Sequence, residues 1–212
     1  SIPNLVDGLK TSQRKILYCA FKRKLTQEVK VAQFSGYVSE HSEYHHGEAS
    51  LNAAIVGMAQ NFVGSNNINL FMPNGQFGTR LQGGKDSASE RYIFTYLNPI
   101  TRLIYKKEDD KVLKYLNDDG HPVEPLFYVP IIPMVLVNGS TGIGTGFSTD
   151  VPPFHPLQVV GHLRTRLRGE VESIAEATLD PWWFGFRGKT MRQSAGVWTT
   201  HGVYTWDDAK LT

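Results

Sequence analysis

Cysteine is nearly absent from this chain of 212 residues. Cys19 stands alone, so no internal disulfide framework can form, and a reducing compartment suits the protein. Cys19 falls in an apolar helical pattern and reads as a packing residue. No window of 18 or more apolar residues occurs, so no membrane-spanning helix is expected. The first residues, Ser1-Ile2-Pro3-Asn4, carry neither an initiator methionine nor a basic and apolar signal pattern. The last ones, around Tyr204-Thr205-Trp206, bring no closing element, and the chain reads as a piece of something longer. There is no internal repeat, no low-complexity stretch, no Asp-x-Asp cluster of metal-binding carboxylates and no ATP-binding signature.

What is present suffices for a packed core. Hydrophobic residues make up 41% and charged residues 20%, enough for one large domain or one domain and part of a second. The net charge of +2 says little, but its placement says more. Residues 1–30 hold seven cations (Lys10, Arg14, Lys15, Lys22, Arg23, Lys24 and Lys30) against Asp7 and Glu28, a local excess of five. Residues 31–60 hold no Lys or Arg at all. A basic front followed by a neutral stretch containing histidines fits a localised phosphate-binding face, and it also fits an ordinary solvated helix face.

Periodicity predicts three helices. Residues 11–24 place Ile16, Leu17, Ala20 and Phe21 on one face, with Thr11 or Ser12 as a start. Residues 29–40 carry a stripe of Val31, Phe34 and Val38. Residues 47–62 carry Leu51, Ala54, Ile55, Met58 and Phe62. Next, residues 69–78 read as short strands around the Asn74-Gly75 turn, which after three helices makes a winged helix-turn-helix. Residues 79–92 form a polar, glycine-rich loop, and 93–105 read as helical. Pro152-Pro153-Phe154-His155-Pro156 marks a boundary. An amphipathic helix over 157–168 and alternating strands over 184–206 follow. The expected fold class is α+β: a winged helix-turn-helix (CAP-like) domain over 1–155, then part of an α/β domain over 156–212.

Three constellations carry chemistry. The first is Arg91-Tyr92 at the end of the polar loop. A phenol ionises near ~10 and is a weak nucleophile at neutral pH. A guanidinium beside it favours phenolate and neutralises charge on a pentavalent phosphorus. The same pair also fits a plain surface hydrogen bond. The second is Tyr44-His45-His46-Gly47-Glu48 at a helix entrance, where histidines and helix N–H groups can meet phosphate. Adjacent histidines without a spaced partner are poor zinc geometry, a capping role stays open, and Tyr44 is a rival nucleophile. The third is Asn138-Gly139-Ser140-Thr141-Gly142-Ile143-Gly144. It lacks the Lys-Ser/Thr ending of a P-loop. An isoleucine between glycines has the shape of a wedge that enters a base step and kinks a duplex, or of a core residue in a tight turn.

Together these segments resemble the breakage-reunion region of type IIA topoisomerases, in the eukaryotic or viral branch (DNA topoisomerase II) rather than gyrase. The resemblance rests on Asp7-Gly8-Leu9-Lys10 with Gln13-Arg14-Lys15, then Tyr44-His45-His46-Gly47-Glu48, then Ala59-Gln60-Asn61-Phe62-Val63-Gly64-Ser65-Asn66-Asn67. It continues through Gly75-Gln76-Phe77-Gly78-Thr79-Arg80, Gly83-Gly84-Lys85-Asp86 and Arg91-Tyr92-Ile93, and ends on Leu136-Val137-Asn138-Gly139 with Gly142-Ile143-Gly144-Thr145-Gly146. The matches are ordered and span residues 1–156. Beyond them, position alone suggests the start of the family's tower domain.

The resemblance implies that Tyr92 forms a transient 5′-phosphotyrosine link with DNA, that Arg91 stabilises the transition state, and that Ile143 intercalates. Lys10, Arg14, Lys15, His45, His46, Gln60, Arg80 and Lys85 fall where the family touches the DNA backbone or orients the scissile region. It also implies a homodimer, Mg²⁺ and ATP held by metal-binding (TOPRIM) and ATPase domains outside this chain, no metal within it, and a nuclear setting, or a viral factory or host cytoplasm for a viral member. Two departures stand out. Thr11-Ser12 replaces the usual Pro-Gly, and Glu90 is a competitor for the Arg91 guanidinium. The competing class is a non-catalytic winged-helix DNA-binding module, which explains the helices and the basic front but leaves Arg91-Tyr92 and the wedge without a role.

Overall fold

The computed structural model describes residues 2–170 and 179–206, with the backbone of 207, 210 and 211. Parts of the expected second domain, 171–178, 208–209 and 212, therefore lie outside the described residues, as does Ser1. Helix α1 spans Thr11–Arg23. The Gln13 side chain accepts the Lys10 backbone N–H at 2.9 Å and closes its start. Lys24 ends it in the left-handed region at φ 51°, and the Leu25 N–H returns to the Ala20 carbonyl at 3.0 Å. Ile16, Leu17, Cys19 and Ala20 of α1 are fully buried. Each large apolar side chain so buried contributes about 1.5–3 kcal/mol.

The second predicted helix starts two residues late. Val29–Lys30 form strand β1, and helix α2 runs Val31–Ser42. Helix α3 spans Glu48–Ala59. Val31, Phe34 and Val38 of α2 and Leu51 and Ile55 of α3 all have 0% exposure, so the three helices share one core.

The wing differs from the expected local hairpin. Strand β1 pairs antiparallel with β2, Phe94–Thr95, in the register Val29↔Thr95 and Lys30↔Phe94. Phe71 bridges Leu97 and Asn74 bridges Phe94, so the segment around Asn74-Gly75 pairs with residues some twenty positions later, not with itself. Gly75 is held at φ 115°, and a Cβ there would come within 2.9 Å of the Ile93 side chain; the chain can pass Ile93 only as glycine. The helix expected over 93–105 is correspondingly wrong over its first half. Ile93, Thr95 and Leu97 are buried while Phe94, Tyr96 and Asn98 are half-exposed, a period of two. Helix α4 is one turn, Thr101–Ile104.

Two further hairpins follow. Strands β3, Tyr115–Asp118, and β4, His121–Pro125, turn at Asp119-Gly120, both with positive φ. That is the type I′ signature, for which Asp-Gly is a favoured pair. After the short helix α5, Met134–Val137, strands β5, Ser140–Gly144, and β6, Phe147–Val151, pair in unbroken register and turn at Thr145-Gly146. The glycine-rich wedge segment is therefore a strand, not a tight loop. Helix α6, Pro156–Leu167, begins with the His155 ring accepting the Leu157 N–H at 3.1 Å, and β7, Lys189–Ser194, pairs with β8, Val197–His201. Among the described residues every sheet is two-stranded and antiparallel.

Candidate nucleic-acid cleavage site

Tyr92 stands 76% exposed at the end of the polar loop. Its position is set from behind. The first backbone N–H groups of a helix have no partner within the helix. In α2 these belong to Val31 and Ala32, and they donate to the carbonyls of Ile93 at 3.0 Å and Glu90 at 3.1 Å. Both flanks of Arg91-Tyr92 are thus fastened to one helix end. Ile93, 1% exposed, adds an apolar anchor. The Tyr92 N–H closes a turn onto the Ser89 carbonyl at 2.9 Å.

The preceding loop is braced as well. The Thr79 N–H and hydroxyl donate to the two Asp86 carboxylate oxygens at 2.8 and 2.7 Å, and these bonds hold the Asp86 carboxyl below the ordinary range, the backbone bond contributing most. Gln60, at the end of α3, donates from Nε2 to the Phe77 carbonyl at 2.8 Å and the Gly84 carbonyl at 3.3 Å. Its amide nitrogen is therefore committed to the loop, and the DNA contact expected of Gln60 is left to Oε1.

Arg91 and Lys85 are exposed and line one groove of about 780 Å³ with Gln60, Asn52 and Glu48 of α3. Among the described residues Arg91 makes no ion pair. The expected competitor, Glu90, accepts the Ser89 hydroxyl at 3.3 Å instead. His45 and His46 are exposed in the turn before α3. Arg80 is exposed, its Nη1 donating to the Val63 carbonyl at 3.0 Å. Lys10 lies half-buried at the start of α1 with no ion pair among the described residues. Ile143 does not line the groove; it stands 83% exposed near the tip of the β5–β6 hairpin.

Three residues singled out in the sequence are buried or paired within the fold. Tyr44, the rival nucleophile, is 9% exposed and its hydroxyl donates to Ser50 Oγ at 3.2 Å. Arg14 is 6% exposed; its Nε and Nη2 donate to the Asp7 carboxylate at 2.8 and 3.0 Å, and Nη2 also meets the Leu9 carbonyl at 2.8 Å. Lys15 pairs with Glu124 at 2.8 Å and also donates to the Ser42 carbonyl. Neither Arg14 nor Lys15 has its charge free for a phosphate; both hold the fold together. The buried acids that claim them are Asp7 at 0% and Glu124 at 2% exposure; Asp7 stands in the Asp7-Gly8-Leu9-Lys10 motif, whereas Glu124 gave no signal in the sequence beyond its type. Among the described residues no group of three or more His, Cys, Asp or Glu is placed to hold a metal ion.

The family model for the A-subunits of DNA gyrase and topoisomerase IV matches residues 1–210. DNA topoisomerase 2 of Arabidopsis thaliana is 57% identical over 208 residues, 96% of this chain and 14% of that protein. DNA topoisomerase 2 of Drosophila melanogaster is 55% identical over 202 residues, 95% of this chain and 14% of that protein. The crystal structure of the DNA-binding, cleavage and re-ligation domain of Plasmodium falciparum topoisomerase II superposes with a TM-score of 0.93 at 47% identity, covering 98% of this chain and 28% of that one. The chain thus spans about a seventh of the length of the curated relatives it matches.

Proposed function

The chain belongs to the A-subunit family of DNA gyrase and topoisomerase IV, with relatives named DNA topoisomerase 2, and from that premise we propose that it is the DNA-cleaving and religating segment of a type II topoisomerase. Tyr92 Oη attacks a DNA phosphorus. The P–O bond to the 3′ oxygen breaks, the phenolic proton ends on the released 3′ hydroxyl, and the 5′ phosphate stays on Tyr92. One phosphodiester is exchanged for another, so resealing is the same reaction reversed and needs no ATP. Arg91 lies beside the developing charge and neutralises it. Lys10, His45, His46, Arg80 and Lys85 hold backbone phosphates, and Ile143 enters a base step and bends the duplex.

Two copies of the chain, each bringing one Tyr92, cut opposite strands, so the working enzyme is a homodimer. Residues 1–155 form the winged-helix cleavage domain, and 156–212 begin the tower. The carboxylates among the described residues form no group placed to hold a catalytic metal. Mg²⁺ and ATP belong to metal-binding and ATPase domains outside this chain. A nuclear location follows from the same reading. No helix among the described residues is long and apolar enough to cross a membrane.

One observation carries the proposal. Tyr92 is 76% exposed and directly follows Arg91, which makes no ion pair among the described residues, while Tyr44 is buried and donates its hydroxyl to Ser50. In the full-length enzyme, Tyr92→Phe should abolish the covalent protein–DNA adduct and Tyr44→Phe should retain it. An adduct that survives Tyr92→Phe overturns the assignment in favour of a non-catalytic winged-helix module or a different nucleophile.

A further inference from the structure

The β5–β6 hairpin that carries Ile143 has little to hold it in place. Its two strands pair only with each other, and of its ten residues Gly142 alone is buried. A lone two-stranded ribbon is marginal in water. The direction in which its tip points must therefore be fixed at its base. Five residues of strand reach about 16 Å, so a tilt of roughly 10° at the base displaces the tip by about 3 Å.

At that base sits Asn67. Its Nδ2 donates to the carbonyls of Val137 at 2.9 Å and Phe154 at 3.3 Å, which flank the hairpin on its entering and leaving sides. The same Nδ2 donates to the Trp182 carbonyl at 3.0 Å, and Oδ1 accepts the Phe184 N–H at 2.8 Å. The adjoining residue completes the clasp: Asn138 Oδ1 accepts the Ile68 N–H at 2.9 Å, and Asn138 Nδ2 donates to the Ile68 carbonyl at 2.8 Å. Gly139 lets the two sides of the base approach, since a Cβ there would lie 2.5 Å from the Val151 carbonyl oxygen. Asn67 also follows Asn66, whose Nδ2 donates to the carbonyls of Gly57 at 2.7 Å and Gln60 at 2.8 Å at the end of α3. One short loop thus joins the helix that braces the Tyr92 loop, through Gln60, to both feet of the Ile143 hairpin.

We propose that Asn67 is a positioning residue that sets the aim of Ile143 by clamping both feet of the β5–β6 hairpin to the end of α3; its effect on DNA rests on the wedge role proposed for Ile143. An amide suits this place because it supplies two N–H donors to three converging carbonyls and one acceptor to a facing N–H. Aspartate keeps the shape and the acceptor but turns a carboxylate toward three carbonyl oxygens.

The test uses the full-length enzyme with Asn67→Ala and Asn67→Asp, and Asn67→Ser as the milder change should either fail to fold. Hydrogen exchange read by mass spectrometry should show the amides of residues 140–151 exchanging at least tenfold faster, with α1 and α2 unchanged. On DNA carrying a fluorescent donor and acceptor, the variants should lose bending as Ile143→Ala does, with affinity within about twofold of the parent. Ile143→Ala combined with Asn67→Ala should lose no more bending than Ile143→Ala alone. Unchanged hairpin exchange, or an equal rise throughout the chain, overturns the clamp. Additive losses in the double variant, or full bending in Asn67→Ala where Ile143→Ala has lost it, overturn the positioning role and leave the wedge standing. Full bending in Ile143→Ala overturns the wedge and, with it, any route from Asn67 to DNA.

Discussion

Asp7 grips Arg14 with both carboxylate oxygens, at 2.8 and 3.0 Å, in a site where Asp7 has no exposure at all. The same carboxylate accepts the N–H groups of Leu9 and Tyr128, each at 2.9 Å, and so ties the segment before α1 to residues 121 positions further on. The pair belongs to the architecture, although Arg14 sits among the cations of a basic front. Removing one partner of a buried pair costs about 3–5 kcal/mol, because the other is left uncompensated. Arg14→Ala should therefore lower the thermal midpoint sharply, and the logarithmic salt dependence of DNA affinity should stay as it is wherever the protein is folded. Lys10→Ala should do the reverse, with little change in melting and a salt slope reduced by about one. Thermal denaturation and binding titrations across a salt series separate the two.

Arg91→Ala should slow DNA cleavage by roughly 10²–10³-fold, the size seen when one fixed donor to a developing charge is removed. Because Arg91 is exposed and makes no ion pair among the described residues, the melting temperature should not move. Single-turnover cleavage beside a melting curve checks both halves.

Ile143→Ala should leave melting within about 0.5 kcal/mol of the parent, since a side chain 83% exposed loses almost no packing. Bending, followed by fluorescence transfer between the ends of a short duplex, should fall clearly. Unchanged bending would place Ile143 off the DNA.

The Asp86–Thr79 clasp predicts an acid limit for the loop behind Tyr92. The Asp86 carboxyl is held below its ordinary value by the Thr79 N–H and hydroxyl. Its contribution is thus fully present above the unfolded value near ~3.9 and disappears as pH falls through the lower folded value. Protection of the Thr79 amide, followed by NMR, should be flat through neutral pH and collapse only in strong acid. Thr79→Val should move the collapse to higher pH.

Cys19 should resist alkylation until the protein unfolds. It is fully buried, and burial pushes its thiol up to about 12, so almost no thiolate exists at neutral pH. Iodoacetamide labelling during a urea titration should track global unfolding.

The helices were readable because their signal is local. Val31, Phe34 and Val38 repeat at helical spacing whatever lies around them, and the structure buries all three. The wing was misread because pairing is not local. Asn74-Gly75 has the composition of a hairpin turn, but its partner is chosen by Ile93 and Leu97, which bury against the helices from a distance in sequence. Residues 93–97 alternate too briefly to outvote a helical reading of the longer stretch. At the site, Arg91, Tyr92 and Ile143 were picked out by motif, and their exposure and partners came from the structure. Arg14 and Lys15 show the limit of charge counting, because whether a cation faces solvent or Asp7 depends on contacts that no short window contains.

The N–H groups of Val31 and Ala32 reach forward about sixty residues to take the carbonyls on either side of Arg91-Tyr92. These bonds are made by main chain to main chain and read no side chain. The exposed Leu81–Gln82 tip can therefore change in composition or take an insertion without displacing the tyrosine, whereas a proline at position 31 or 32 would release it. Tolerance to change and intolerance of proline thus sit on two segments that never touch in sequence, and a mutational scan of this chain should recover that division without reference to DNA at all.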